Sequence, residues 1–139
     1  MDHSISIRRL YDLVNAGDLE GFGRQFADDF VEHSEIPGLP PTKAGVLQYF
    51  QIMSRAFPDF RMDVQDVIAC EGKAVARVRV VGTHKGEFMG IPATGKSAAV
   101  DLIDITRFGD DGLAHEHWGV VDMLAMMQQL GVIPAAPPA

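Results

Sequence analysis

The second half of the chain alternates between apolar and polar residues, and this pattern predicts a sheet with one buried face. The segments that alternate are "RMDVQDVIA", "KAVARVRVVGTH" and "SAAVDLIDITRF", and "LAHEHWGVV" follows the turn signal "GDDG". Successive side chains of a strand point to opposite faces. Glycine-containing turns between such segments favour antiparallel neighbours. We therefore predict an antiparallel meander over residues 61–121.

The first 60 residues carry helical spacing instead. Ile7, Leu10, Tyr11 and Val14 recur at i, i+3, i+4 and i+7, which is the spacing of one apolar helix face. A second, shorter helix is expected to bury Phe26 at its end. "IPGLPPT" is expected to be a loop, because its three prolines interrupt any helix or central strand. We predict four helices in the whole chain, each starting near a residue that can cap it: Ser4, Asp18, Thr42 and Asp122.

Helices followed by antiparallel strands indicate an α+β fold. A curved sheet wrapped over three N-terminal helices and closed by a short C-terminal helix leaves a cone open at one end. Such a cone is a ready pocket for a small ligand. With 139 residues, the chain is long enough for one full core. We expect a single domain over residues 1–131 and an unstructured tail, rich in proline and alanine, over residues 132–139.

Composition narrows the class of partner. The net charge of −7 argues against nucleic acid and against anionic membranes, and no apolar run is long enough to span a bilayer. Cys70 is the only cysteine, which excludes an internal disulfide and fits a cytoplasmic protein. The uncovered face of the sheet predicts a homodimer. The expected partners are therefore a small hydrophobic ligand or substrate and a second copy of the chain.

The segment "AHEHWGVVD" is compatible with a metal site, an acid–base site or a polar strand. His115 and His117 are separated by two positions, a spacing seen in metal pairs, but the neighbouring sequence supplies no third ligand. "GIPATGK" lacks the spacing of a phosphate-binding loop. We therefore predict no metal and no cofactor.

Four segments together resemble the SnoaL-like polyketide cyclase family of the NTF2-like, ketosteroid-isomerase-like superfamily. They are "YDLVNAGDLEGFGRQFADDFVEH", "GTHKGEFMGIPATGK", "DITRFGDDGLAHEHWGVVD" and "QQLG", in this order. The resemblance covers about residues 4–131. It implies an NTF2-like α+β cone with a deep apolar cavity, commonly dimeric through the outer sheet face. It also implies ring closure of a polyketide ester by intramolecular aldol condensation, without metal or cofactor.

The resemblance does not extend to the two residues that transfer protons in the family's cyclases. In the family's cyclases an aspartate lies three residues before the aspartate that opens the last helix, and here that position is Gly119. The assisting histidine lies three residues before an arginine on the preceding strand, and here that position is Asp104. Glycine cannot carry a proton. The pair has therefore either been relocated, with Asp104 as its carboxylate, or been lost.

Asp104 is the first candidate for acid–base chemistry, because an aspartate is disfavoured in a central strand without a reason. Its alternative role is a salt bridge to an arginine. His117, which shares the parity of Gly119, and His33, which the resemblance places at the cavity mouth, are the other two candidates. Each could also be an ordinary hydrogen-bonded or solvated histidine. The expected ligand contacts are Tyr11, Phe50, Met89 and Trp118. Tyr11 and Phe50 lie on apolar helix faces, where a core role is the commoner one, and Trp118 is either core or cavity wall.

Two further acidic residues are expected to have other roles. Asp101, of opposite parity to Asp104, is expected on the outer face, and Asp122 is expected to cap the last helix. Three functions remain open at this stage. The first is a cofactor-independent cyclase or isomerase that acts on a small hydrophobic carbonyl compound by proton transfer. The others are a binding protein that has lost its acid–base group, and a structural module.

Overall fold

The computed structural model describes residues 2–134, so most of the expected tail, residues 135–139, lies outside the described part. The fold is the α+β cone that the sequence predicts. In the described residues four helices and five strands are less cleanly segregated than expected, because one strand lies among the helices. In chain order the elements are α1 (His3–Asn15), α2 (Leu19–Gly23), β1 (Phe26–Glu32), α3 (Lys43–Ala56), β2 (Arg61–Cys70), β3 (Lys73–Thr83), β4 (Ser97–Phe108), β5 (Ala114–Val121) and α4 (Met123–Gln129).

Helix starts follow local capping chemistry. The side chains of Asp18, Thr42 and Asp122 accept hydrogen bonds from backbone amides in the first turns of α2, α3 and α4, as predicted. The first helix differs, because Asp2 caps it and Ser4 lies inside its first turn. Asp2 prevails because its carboxylate accepts from both the backbone amide and the hydroxyl of Ser4.

The sheet has the order β1-β5-β4-β3-β2. Strands β2 to β5 form the expected antiparallel meander, but β1 pairs with β5 in parallel, so the sheet is mixed. The expectation that Phe26 ends a helix is wrong, since it opens β1. Two adjacent exposed residues, Asp28 and Asp29, and a register shift between Phe26 and Val31 interrupt the alternation of β1 and hide it in the sequence.

The inner face of the sheet packs against the helices. Along β3 the buried residues are Ala74, Ala76 and Val78, whereas Arg77 and Arg79 are exposed, as the alternation predicts. The glycine-rich segment between β3 and β4 is a loop with a tight turn at Met89 and Gly90. Among residues 2–134, no helix is long and apolar enough to cross a membrane.

Candidate active site

A cavity of about 310 Å³ lies between the inner face of the sheet and the helices. Its wall is mostly aromatic and aliphatic, and it includes Phe22, Phe50 and Phe88. Ionisable side chains line it mainly at one place, where β1, β4 and β5 lie side by side. A largely apolar pocket with a few convergent polar groups is typical of a small-molecule site.

Four side chains form a continuous hydrogen-bonded chain at this place. His117 lies at its centre, with Nδ1 2.7 Å from both carboxylate oxygens of Glu32. Its Nε2 lies 2.8 Å from Oδ1 of Asp104. The hydroxyl of Tyr11 donates to the other oxygen of Asp104, Oδ2, over 2.7 Å. The carboxylate of Asp104 is therefore held on both sides, while its side chain still lines the cavity.

Strand register brings these residues together. Asp104 of β4 lies directly opposite Gly119 of β5, and His117 precedes Gly119 by two positions on the same face. Glu32 is the register partner of His117 in the parallel β1–β5 pair. Tyr11 reaches the cluster from the buried face of α1. The site thus depends on three strands and one helix, of which β5 supplies the central histidine.

Gly119 leaves the space that the Asp104–His117 contact occupies. A Cβ atom at this position would lie 2.6 Å from Oδ1 of Asp104 and 2.8 Å from Cε1 of His117. Both distances are far below van der Waals contact. The backbone of Gly119 is also fixed by Ser34, whose hydroxyl accepts from its amide over 2.7 Å and donates to its carbonyl over 2.9 Å. The Asp104–His117 contact in this geometry therefore requires a glycine at position 119.

The cluster favours a protonated imidazole. Burial alone lowers the pKa of His117, but the hydrogen bonds and negative charges of Asp104 and Glu32 outweigh it and raise the pKa to about 10. At neutral pH His117 is therefore an imidazolium between two carboxylates. Burial, together with the charge and hydrogen bond of Asp104, raises the pKa of Tyr11 well above its usual value. Tyr11 is therefore a neutral donor.

Tyr49 of α3 lines the same cavity. Burial and then the negative charges of Asp104 and Glu32 raise its pKa to about 12. Tyr49 therefore offers a second neutral hydroxyl donor to a bound molecule.

Among the residues expected from the sequence, Tyr11, Phe50, Met89, Asp104 and His117 all line the cavity. They share the inner face of the sheet, the helix faces packed on it, or the loop at its edge.

His33 and Trp118 lie elsewhere, on the opposite side of the sheet from His117. Trp118 alternates with His117 along β5, and its ring stacks on the ring of His33 at a centroid distance of 4.7 Å. The Nε2 atom of His33 lies 2.7 Å from Glu116, which also accepts a hydrogen bond from Arg107. Neither His33 nor Trp118 therefore lines the cavity, although we expected both to do so.

The remaining polar residues of the sequence analysis have structural partners. Asp101 is exposed and accepts from Arg79 on the neighbouring strand. His115 lies 2.9 Å from Asp111 in the turn before β5. The carboxylate of Asp122 accepts from the amide of Ala125 at the start of α4.

The sequence analysis missed Glu32 and Tyr49. Glu32 was not predicted because β1 was not recognised; once "FVE" is read as a strand, alternation places Glu32 on the face of the buried Phe30. Tyr49 precedes Phe50 on α3, and no role was predicted for it. Both residues become visible only once the positions of β1 and α3 relative to β4 are known.

Comparisons with known proteins agree with this fold. The model of the family described as SnoaL-like polyketide cyclase matches residues 5–130. No curated protein sequence matches the chain significantly.

Solved structures from Streptomyces are similar over nearly the whole chain. IdmH from Streptomyces antibioticus, a proposed polyketide cyclase, is 34% identical with a TM-score of 0.81, and the match covers 94% of this chain and 99% of that one. AclR from Streptomyces galilaeus, a proposed hydroxylase, is 29% identical with a TM-score of 0.83, covering 96% and 83%. TsrD from Streptomyces laurentii is 27% identical with a TM-score of 0.84, covering 96% and 99%. Because the family model spans nearly the whole chain, this protein belongs to the SnoaL-like polyketide cyclase family.

Proposed function

We propose that this protein is an acid–base enzyme that closes or isomerises a small, hydrophobic, polyketide-like carbonyl compound. The observation that carries the proposal is the carboxylate of Asp104, held between His117 and Tyr11 at the wall of an apolar cavity. The similarity to IdmH, a proposed polyketide cyclase, supports the same class of substrate.

Asp104 is the proposed base. The imidazolium of His117 lies 2.8 Å from the carboxylate of Asp104, and the surrounding apolar wall keeps bulk water from competing for that carboxylate. A carbon-bound hydrogen next to a carbonyl group would pass as a proton to this carboxylate. The electron pair of the broken C–H bond then forms an enolate. His117 stabilises the site electrostatically, because it keeps a positive charge beside the developing anion.

Ring closure would use the same proton twice. The enolate carbon attacks a second carbonyl group of the same molecule, and the new carbon–carbon bond leaves an alkoxide. Asp104 returns its proton to that oxygen and is regenerated as a carboxylate. Tyr49 is placed to donate a hydrogen bond to the enolate or alkoxide, since it lines the cavity and remains protonated. If no second carbonyl group is present, return of the proton to a different carbon gives isomerisation.

The first step can be tested without the natural substrate. We expect the protein to catalyse exchange of the acidic C1 hydrogens of the aryl ketone 2-tetralone for deuterium in D2O, followed by NMR. Asp104→Asn should lower the catalysed rate by roughly 10²–10⁴-fold, the range expected of a general base. Asp101→Asn is the matched control, because Asp101 lies on the same strand but on the exposed face.

An unchanged rate in Asp104→Asn would overturn Asp104 as the base. If the wild-type protein binds aryl ketones but shows no exchange above buffer, a binding protein would replace the enzyme as the better description. In that case Asp104 and His117 would serve to recognise the ligand.

A further inference from the structure

Two tight turns in this molecule share an unusual backbone. Phe88 and Ile91 exchange hydrogen bonds of 3.0 and 2.8 Å around Met89 and Gly90, whose φ angles are +48° and +83°. A two-residue turn with both φ angles positive is a type I′ turn. The β2–β3 hairpin turns in the same way at Glu71 and Gly72, with φ angles of +54° and +76°.

Methionine is a poor residue for the first position of such a turn. The left-handed region brings Cβ close to the following carbonyl oxygen, so asparagine, aspartate and glycine are strongly favoured there. The fold gains little in return, because the side chain of Met89 is 44% exposed. Its neighbour Phe88 is 1% exposed and already anchors the turn in the core. Packing within the free protein therefore does not explain a methionine at this position.

The position of Met89 suggests a role in ligand binding instead. Met89 lines the cavity and is exposed to solvent at the same time, so it lies at the cavity mouth. The exposed Pro37 of the loop before α3 shares both properties. A flexible thioether adapts to irregular apolar surfaces. Residues held in sparsely populated backbone conformations cluster at ligand contacts, and of the two non-glycine residues with positive φ among residues 2–134, Met89 is the one that lines the cavity.

We propose that Met89 is a ligand-contact residue that covers an apolar carbonyl compound in the cavity, at a cost in folding stability. The proposal rests on the apolar carbonyl ligand of the proposed function. It assigns to the tight turn after β3 the task of presenting one apolar side chain at the mouth. Strain at Met89 is retained because bound ligand buries the exposed part of its side chain.

The test compares Met89→Asn with Glu71→Asn, which makes the same change in the same type of turn away from the cavity. Both variants should raise Tm by roughly 2–5 °C, because asparagine relieves the left-handed strain. Affinity is measured by fluorescence titration with prodan, a polarity-sensitive naphthyl ketone. Met89→Asn should weaken prodan binding by about three- to tenfold through lost apolar contact. Glu71→Asn should leave the Kd unchanged.

Equal prodan affinity in Met89→Asn and wild type would overturn the proposal, and so would a lower Tm in Met89→Asn alone. Absence of saturable prodan binding to the wild type would also overturn it, because the cavity would then not bind the proposed class of ligand. Failure of the catalytic proposal is seen separately. The wild type would then show no deuterium exchange into 2-tetralone, while the contrast between Met89→Asn and Glu71→Asn in prodan binding would persist.

Discussion

Two histidine–carboxylate clusters lie on opposite faces of the sheet near β5, and they differ in burial and in charge balance. On the inner face His117 contacts Glu32 and Asp104, whose side chains are 6% and 13% exposed. On the outer face His33 contacts Glu116, and these side chains are 37% and 28% exposed. The inner cluster therefore carries two desolvated carboxylates around one imidazole, whereas the outer cluster is reached by water.

The two clusters also differ in which group has its pKa shifted. Glu116 also accepts a hydrogen bond from Arg107, and this bond, followed by that from His33, lowers the pKa of Glu116. A permanent cation thus satisfies the outer carboxylate. The inner carboxylates have only His117 as a cation within hydrogen-bonding distance among the described residues, and they raise its pKa to about 10. The comparison teaches that the same residue types form a surface ion pair or a buried cluster around a protonated imidazole according to burial and to the presence of arginine.

The largest expected effect comes from Gly119→Ala. The added methyl group would lie where Oδ1 of Asp104 and the ring of His117 now meet. We expect it to separate them and to lower 2-tetralone exchange by roughly 10²-fold or more, comparable to loss of a general base. An NMR titration should show a lower pKa for His117. Ile103→Ala, on the outer face of β4, is the control and should keep both properties. Full activity in Gly119→Ala would show that the contact is dispensable.

The second prediction concerns stability against pH. The pKa of His117 is raised in the folded protein from its usual 6.5 to about 10. Its contribution to stability is therefore complete below about pH 6.5 and is lost as the pH rises towards 10. We expect the free energy of unfolding in urea to fall across this window by an amount on the order of a few kcal/mol.

His117→Gln removes this group and should flatten that part of the curve. His115→Gln, which removes a histidine paired with Asp111 near the surface, should leave it intact. A wild-type curve that rises between pH 7 and 10, or that matches the curve of His117→Gln, would contradict the inner cluster as described.

A smaller effect is expected for Glu32, which acts through His117. Glu32→Gln removes one of the two charges that raise the pKa of His117, so this pKa should fall. Exchange of 2-tetralone should slow by about tenfold, and the loss should depend on pH, since less imidazolium is present at high pH. Glu116→Gln makes the same change in the outer cluster and should alter neither quantity. A pH-independent loss in Glu32→Gln would indicate a structural role instead.

The fold and the site were predictable from the sequence where they depend on residues close together in the chain. Capping by Asp18, Thr42 and Asp122 depends on neighbours in the chain, and strand alternation separates Asp104 from Asp101 without any tertiary knowledge. These predictions rest on the period of two in a strand and on side-chain to backbone hydrogen bonds within three residues.

The rest of the site depends on contacts between distant segments. Glu32 meets His117 only because β1 joins the sheet in parallel beside β5, a pairing without a turn signal. The sequence suggested that Gly119 lacks a catalytic group, whereas the cross-strand register with Asp104 shows that it provides space. His33 could not be assigned to a face in advance, because it directly follows β1, whose position in the sheet was not predicted. The face of Trp118, by contrast, follows from its alternation with His117 along β5.

The smallest effect on activity is expected on the outer face, where assembly should respond instead. Ile68, 67% exposed, lies there beside Trp118 and Cys70 in a shallow apolar groove. We predict that two copies of the chain associate through this face, because the helices cover only the inner one.

Ile68→Arg should shift the sedimentation coefficient at about 10 µM from dimer towards monomer. Exchange of 2-tetralone should change by no more than about twofold, the effect typical of surface substitutions. Lys85→Ala, an exposed change outside this groove, should leave the dimer unchanged. A wild type that sediments as a monomer at this concentration would refute the prediction, and a large loss of exchange in Ile68→Arg would show that the two faces are coupled.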